Sequence, residues 1–291
     1  MGEPRGSRAM FTFLASWVRP VMNALMGKEW HGQERLPRGA GVIVCPNHVT
    51  EIDPVVVGHF LYNQGIMPHF LAKASLFKVP VIGWILRTIR QIPVERVSAG
   101  ANRSLEAARD VLADGGGIII YPEGTLTRDP DMWPMKGRTG AARLALQTGA
   151  PVVPIAQWGA HEVFPRYAKR FYLVPRKRAR VLVGDPVDLS EFQGAPLTRT
   201  TLEAATDRII DAITELLAEL RGETPPGERW DPAQKQQERM GRGPETPNGD
   251  ATGPAVPHGS APEDGAAPED GSARRNGARD VPGAPAAGGT A

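Results

Sequence analysis

His48 and Asp53 stand five residues apart in VIVCPNHVTEIDPVVV, the stretch from Val42 to Val57. An imidazole beside a carboxylate can take a proton from an alcohol, because the carboxylate orients the ring and stabilises the imidazolium that forms. In a continuous helix the two side chains would stand about 140° apart around the axis. In a continuous strand they would lie on opposite faces, roughly 17 Å apart. A turn running into a helix start brings them together, and Pro46 and Pro54 bracket an irregular segment of that kind. Asp53 then accepts a hydrogen bond from one ring nitrogen and leaves the other as a base. The competing reading is an Asp that caps its own helix beside a His that satisfies a turn, and spacing alone does not choose between them.

The elements that must position this pair alternate. Gly41 to Cys45 reads as a buried strand, and Asp53 to Tyr62 as a helix with Asp53 at N-cap and Pro54 at N1. Strands are expected at 67–72, 91–94, 117–121, 152–157 and 179–183. Helices are expected at 75–90 (interrupted at Pro80 and Gly83), 101–113, 139–148 and 197–221. Alternation of this kind predicts an α/β domain with a largely parallel sheet flanked by helices. Such sheets carry their functional loops at the carboxyl ends of the strands, and His48, Glu123 and the segment after Gln157 all follow a strand end.

Composition divides the chain of 291 residues. No Leu, Ile, Phe or Tyr follows Leu220. A segment so poor in apolar residues cannot offset its ordering entropy, so residues 222–291 read as a disordered Pro/Gly/Ala-rich tail. The tail carries 7 Lys and Arg against 11 Asp and Glu, which leaves the remainder at +6. A basic folded part favours an anionic partner such as a membrane surface or a phosphate. Residues 1–28 hold one apolar segment, broken by Arg19 and Pro20 and too short to span a bilayer. Thr12, Ser16, Arg19 and Asn23 share one helical face and apolar residues cover the rest. This predicts a helix lying in a membrane interface, or else packed on the domain's own core. RYAKRFYLVPRKRAR, residues 166–180, carries seven Lys or Arg among aromatics. It suits anionic headgroups, and no nucleic-acid motif accompanies it. The single Cys, Cys45, excludes an internal disulfide and reads as a strand residue rather than a nucleophile. No histidine spacing suggests a metal site, and no Gly-x-Ser-x-Gly elbow occurs.

Four blocks then appear in one order. NHVTEID (47–53) carries His-x4-Asp, KASLFKVPVIGWILRTIRQIPVER (73–96) leads to Arg96, YPEGTLTRD (121–129) holds Pro-Glu-Gly-Thr, and VVPIAQWG (152–159) ends the set. Together they resemble the PlsC-like 1-acyl-sn-glycerol-3-phosphate acyltransferases. The resemblance implies a single glycerolipid-acyltransferase-like α/β domain, here residues 29–221. It implies transfer of a fatty acyl group from acyl-CoA or acyl carrier protein to lysophosphatidic acid, giving phosphatidic acid in phospholipid biosynthesis. His48 would be the general base and Asp53 its orienting partner. Arg96, Arg128, Gly124 and Thr125 would bind the acceptor phosphate. Asn47, Glu123 and Pro154 would support the site, with Glu123 orienting an Arg or a backbone turn. No cofactor or metal is implied beyond the acyl donor as co-substrate. Location on the cytoplasmic face of the cell membrane, among its phospholipids, is expected. One position departs from the family's pattern: Leu126 stands where an Arg is usual. That departure keeps two alternatives open, a different lysolipid or glycolipid acceptor, and a non-catalytic lipid-binding protein on the same fold.

Overall fold

The computed structural model describes residues 2–94 and 101–234. The strands are β1 (Met26–His31), β2 (Val42–Pro46), β3 (Pro68–Lys73), β4 (Ile92–Val94), β5 (Gly117–Ile119), β6 (Val152–Trp158) and β7 (Lys177–Val183). The helices are α1 (Arg5–Leu25), α2 (Asp53–Asn63), α3 (Pro80–Thr88), α4 (Ala101–Ala113), α5 (Gly140–Thr148), α6 (Ala160–Val163) and α7 (Arg199–Arg221). One sheet runs in the order β1-β7-β6-β2-β5-β3-β4. Neighbouring strands are parallel throughout, except that β7 turns against β6. The expected α/β fold with a largely parallel sheet is therefore present.

Period-two alternation explains how the sheet is covered on both faces. Val42, Val44 and Ile119 face one way and pack with Val56, Val57 and Phe60 of α2. Ile43, Cys45, Ile118 and Ile120 face the other way and pack with Val111 of α4, Ala142 of α5 and Ile209 and Ile213 of α7. β2, in the middle of the sheet, has no exposed residue. Its carboxyl end therefore emerges beside those of β5 and β6, and there the loops meet.

The structure revises several expectations. β1 was not anticipated: MGKEWH has no apolar run, and its extended form comes from pairing along β7 from Met26–Lys177 to His31–Leu182. The extended segment expected to 121 forms ladder pairs only over Gly117–Ile119, because the chain then leaves for a turn. The disordered tail expected from Gly222 does not begin there. Arg229 pairs with Asp207 at 2.7 Å and with Asp211, and Lys136 N–H donates to Trp230 O at 2.9 Å. These contacts return residues 223–234 to α7 and the 129–136 loop. α1 reconciles the two readings of its segment. Ser7 and Phe11 are buried, and Met22 and Leu25 pack against the α2 side of the sheet. Phe13, Trp17, Val18 and Val21 are exposed.

Candidate active site

The turn expected between Pro46 and Pro54 is formed. His48 Nδ1 lies 3.0 Å from Asp53 Oδ2. Asp53 is not the cap that its position suggests. The α2 N-cap is Ile52, and the Asp53 carboxylate reaches backward instead. The same Oδ2 accepts the backbone N–H of Val49 at 2.6 Å and of Thr50 at 2.9 Å. The carboxylate therefore closes the turn that carries the histidine, and it is wholly buried while the His48 side chain keeps 16% of its surface exposed. One ring nitrogen is tied down and the ring still reaches the surface.

Neighbouring strand ends brace this turn. Asn47, buried, exchanges two hydrogen bonds with the backbone of Gln157: Gln157 N–H donates to Asn47 Oδ1 at 2.8 Å, and Asn47 Nδ2 donates to Gln157 O at 3.0 Å. An amide side chain here continues the β2–β6 ladder past its last backbone pair, Pro46 with Ile155. Gln157 was missed as a site residue, and the available signal was a polar side chain closing an apolar strand. Pro154 lies within β6, opposite Cys45, and so belongs to the strand that carries Gln157.

Glu123 takes the second of its expected roles. Its Oε1 accepts His48 N–H at 3.0 Å and its Oε2 accepts Met135 N–H at 3.1 Å. Burial pushes its carboxyl up to about 8, against those two backbone hydrogen bonds, and the nearby Asp53 charge pushes the same way. Thr127 N–H donates to His48 O at 2.7 Å, which ties the second block to the histidine turn again. Tyr121 stacks on the His48 ring, with centroids 4.0 Å apart and planes 25° from parallel.

Of the expected phosphate ligands, Gly124 is exposed with φ +71°, a conformation in which a Cβ is strained. Thr125 is half-buried beside it. Arg128 is buried, in the loop that Arg166 holds by donating to Thr127 O at 2.5 Å and Asp129 O at 3.0 Å. Arg96 lies outside the described residues. Leu126 is 8% exposed and packs inward. Arg138, read from sequence as a solvated residue, lies over Gly124: a Cβ on that glycine would stand 2.7 Å from its Cδ. Arg138 N–H also donates to Pro122 O at 2.7 Å. A long-range backbone pairing of this kind leaves no trace in spacing. Cys45 is buried within β2, where burial pushes its thiol well up, so it offers no nucleophile.

The comparisons agree with this arrangement. A family model described as Acyltransferase matches residues 28–158. The chain is 28% identical over 210 residues to the 1-acyl-sn-glycerol-3-phosphate acyltransferase of Bacillus subtilis, covering 71% of this chain and 96% of that one. It is 31% identical over 134 residues to the enzyme of the same name from Borreliella burgdorferi, covering 46% of this chain and 52% of that one. The crystal structure of the 1-acyl-sn-glycerophosphate (LPA) acyltransferase PlsC from Thermotoga maritima superposes with a TM-score of 0.57 at 19% identity, covering 76% of this chain and 83% of that chain, and so shares the fold. The chain belongs to the PlsC-like acyltransferase family and is an O-acyltransferase.

Proposed function

We propose that this chain transfers a fatty acyl group from an acyl thioester, acyl-CoA or acyl carrier protein, to the free hydroxyl of 1-acylglycerol-3-phosphate, yielding phosphatidic acid. One observation carries the chemistry: His48 is held through Nδ1 by a buried carboxylate and remains part-exposed at the carboxyl end of the sheet. An alcohol is a poor nucleophile near neutral pH. Nε2 of His48 takes its proton as the oxygen attacks the thioester carbonyl. The tetrahedral adduct then expels the thiolate, which receives that proton from the imidazolium. Asp53 supports the cation as the third member of a hydrolase triad does, with the substrate hydroxyl in place of an enzyme serine. Incubating purified protein with lysophosphatidic acid and each donor, with products read by mass, tests this. Absence of phosphatidic acid with both donors rejects it.

The acceptor phosphate calls for cations, and Arg96 and Arg128 are assigned to it by the family pattern. Arg138 joins them on the strength of its seat over Gly124. Its guanidinium would replace the cation that Leu126 removes, since planar forks suit phosphate oxygens. Arg138→Ala is then expected to raise the acceptor KM about tenfold and leave the donor KM nearly unchanged. Leu126→Arg does not separate one acceptor from another, because Leu126 is buried and a charge there is unfavourable with any substrate.

The seat of the enzyme is a membrane surface, on its cytoplasmic face. Among the described residues no helix is long and apolar enough to cross a membrane. Exposed apolar side chains instead cluster on Phe13, Trp17 and Val21 of α1, Val81, Ile82 and Trp84 of α3, and Phe171, Leu173 and Val174. Arg176 donates to Asn23 O and Met26 O, tying the end of α1 to the 164–176 loop. Interfacial helices bind by such faces together with nearby cations. Removing residues 1–28 would strip β1 of its first residues, so Trp17→Asp with Val21→Asp is the sounder test. Flotation on anionic vesicles should fall several-fold, with circular dichroism unchanged. Unaltered flotation would count against this seat.

A further inference from the structure

Tyr121 has a place in the site that the proton transfer just described leaves unused. Period two along the 118–121 run turns Ile119 and Tyr121 toward α2, and Ile118 and Ile120 toward α5 and α7. Tyr121 is thereby delivered to the face where Asp53 begins α2. There its ring lies nearly flat on the His48 imidazole, 4.0 Å between centroids and 25° between planes. Its hydroxyl is buried and makes no hydrogen bond to the described residues, as is also true of Asp53 Oδ1. Burial, and after it the Asp53 charge, hold the phenol proton firmly in place.

The ring is thus the part of Tyr121 with a defined contact. Aromatic faces are electron-rich, and a cation within about 6 Å of the centroid is attracted to them. A neutral imidazole gains little from that face, and an imidazolium gains more. We propose that Tyr121 is a positioning residue for acyl transfer, whose ring face stabilises the His48 imidazolium formed when the acceptor hydroxyl gives up its proton. Two groups then share that charge: the Asp53 carboxylate in the ring plane at Nδ1, and the Tyr121 face above the plane. The stack also fixes the imidazole plane, which Asp53 alone leaves free to tilt about the Nδ1 contact. This inference rests on the reading of His48 as the base.

The effect to look for is about three- to thirtyfold in rate. Tyr121→Phe keeps the face and should hold kcat within about threefold of the parent. Tyr121→Leu should lower kcat about tenfold with acceptor KM little changed, and should move the acidic limb of the kcat/KM profile to lower pH. A leucine can also loosen the turn, so a graded series at one shape is the deciding measurement. Phenylalanine, 4-fluoro-, 3,5-difluoro- and 3,4,5-trifluorophenylalanine, introduced at position 121 by stop-codon suppression, withdraw electrons from the face stepwise. Log kcat should fall in that order, with the acidic limb following. His48→Ala is assayed beside them. If His48→Ala is inactive and the fluorinated series is flat, the ring-face role is wrong and the base assignment stands. If His48→Ala retains transfer, both fall. A loss above tenfold in Tyr121→Phe would also overturn the proposal, because it would move the role to the hydroxyl.

Discussion

Two histidine–carboxylate pairs sit toward opposite ends of this sheet, and they serve different ends. At the carboxyl end of β2, His48 meets Asp53 at 3.0 Å across a five-residue turn. Toward the amino end of β3, His69 Nε2 faces Glu3 Oε2 at 3.5 Å, across the whole of α1 and α2. His69 is fully buried: Nδ1 lies 3.2 Å from Arg90 O, and Phe11 packs edge-on against the ring at 5.5 Å. Glu3 also accepts from Ser7 and faces Arg90, which pairs with Asp114 at 2.8 Å. Every edge of the His69 ring is spent on holding α1 to the sheet. The same two functional groups make a base at one end and a clamp at the other. Access to the second ring nitrogen makes the difference, and that depends on where the loop opens.

The sharpest way to break this contrast is to remove each histidine pair in turn. His48→Ala should lower kcat by at least about a thousandfold, and Asp53→Asn by roughly a hundred- to ten-thousandfold, with circular dichroism preserved. A folded His48→Ala protein with near-parental turnover would end the base assignment. Glu3→Ala should do the reverse. Leaving His69 and Arg90 without their partner is expected to lower stability by about 1–3 kcal/mol in urea unfolding, while kcat stays within about threefold. A large kcat loss without a stability loss would show that the two ends are not separate.

The carboxylates extend the comparison to pH. Burial pulls Glu3 upward, yet the hydrogen bonds of His69 and Ser7 and the charges of His69 and Arg90 hold it below its ordinary value. Its contribution to stability is present above 4.5 and lost as the pH falls through the lower folded value. Glu123 has the opposite sign. Raised from 4.5 to about 8, it binds a proton in the folded state that the unfolded chain has released, so stability declines as pH rises across that interval. Glu123→Gln should flatten that decline in thermal melts between pH 5 and about 8. It should also cost activity modestly, since Gln offers only one oxygen to the two N–H groups of His48 and Met135. A melt profile unchanged by the substitution would reject the raised carboxyl. The smallest effect belongs to Cys45→Ala, with kcat within about twofold and a parent protein that resists alkylation while folded. Rapid inactivation of the folded parent by a thiol reagent would reopen Cys45 as a participant.

Much of the site could be read locally. Pro46 and Pro54 confine the turn, so a contact between His48 and Asp53 follows from backbone restriction within a few residues. The α/β alternation was equally readable, because buried parallel strands are written as apolar runs such as VIVCP and VVPIA. β1 was not readable, since its partner is nearly the whole folded chain away in sequence and its own residues alternate only weakly. Gln157 supporting Asn47, Arg138 lying on Gly124 and Tyr121 stacking on His48 escaped for a similar reason.

What the sequence determined by itself, then, is the set of reactive types, the turn that pairs two of them, and the order of strands and helices. Short-range sterics and hydropathy period act within a few residues and need no fold to operate. The tertiary structure decided which oxygen of Asp53 serves the turn, which histidine keeps an open nitrogen, and which backbone groups Glu123 braces. Those choices depend on burial and on hydrogen bonds closed between distant strand ends, and both exist only once the sheet has assembled.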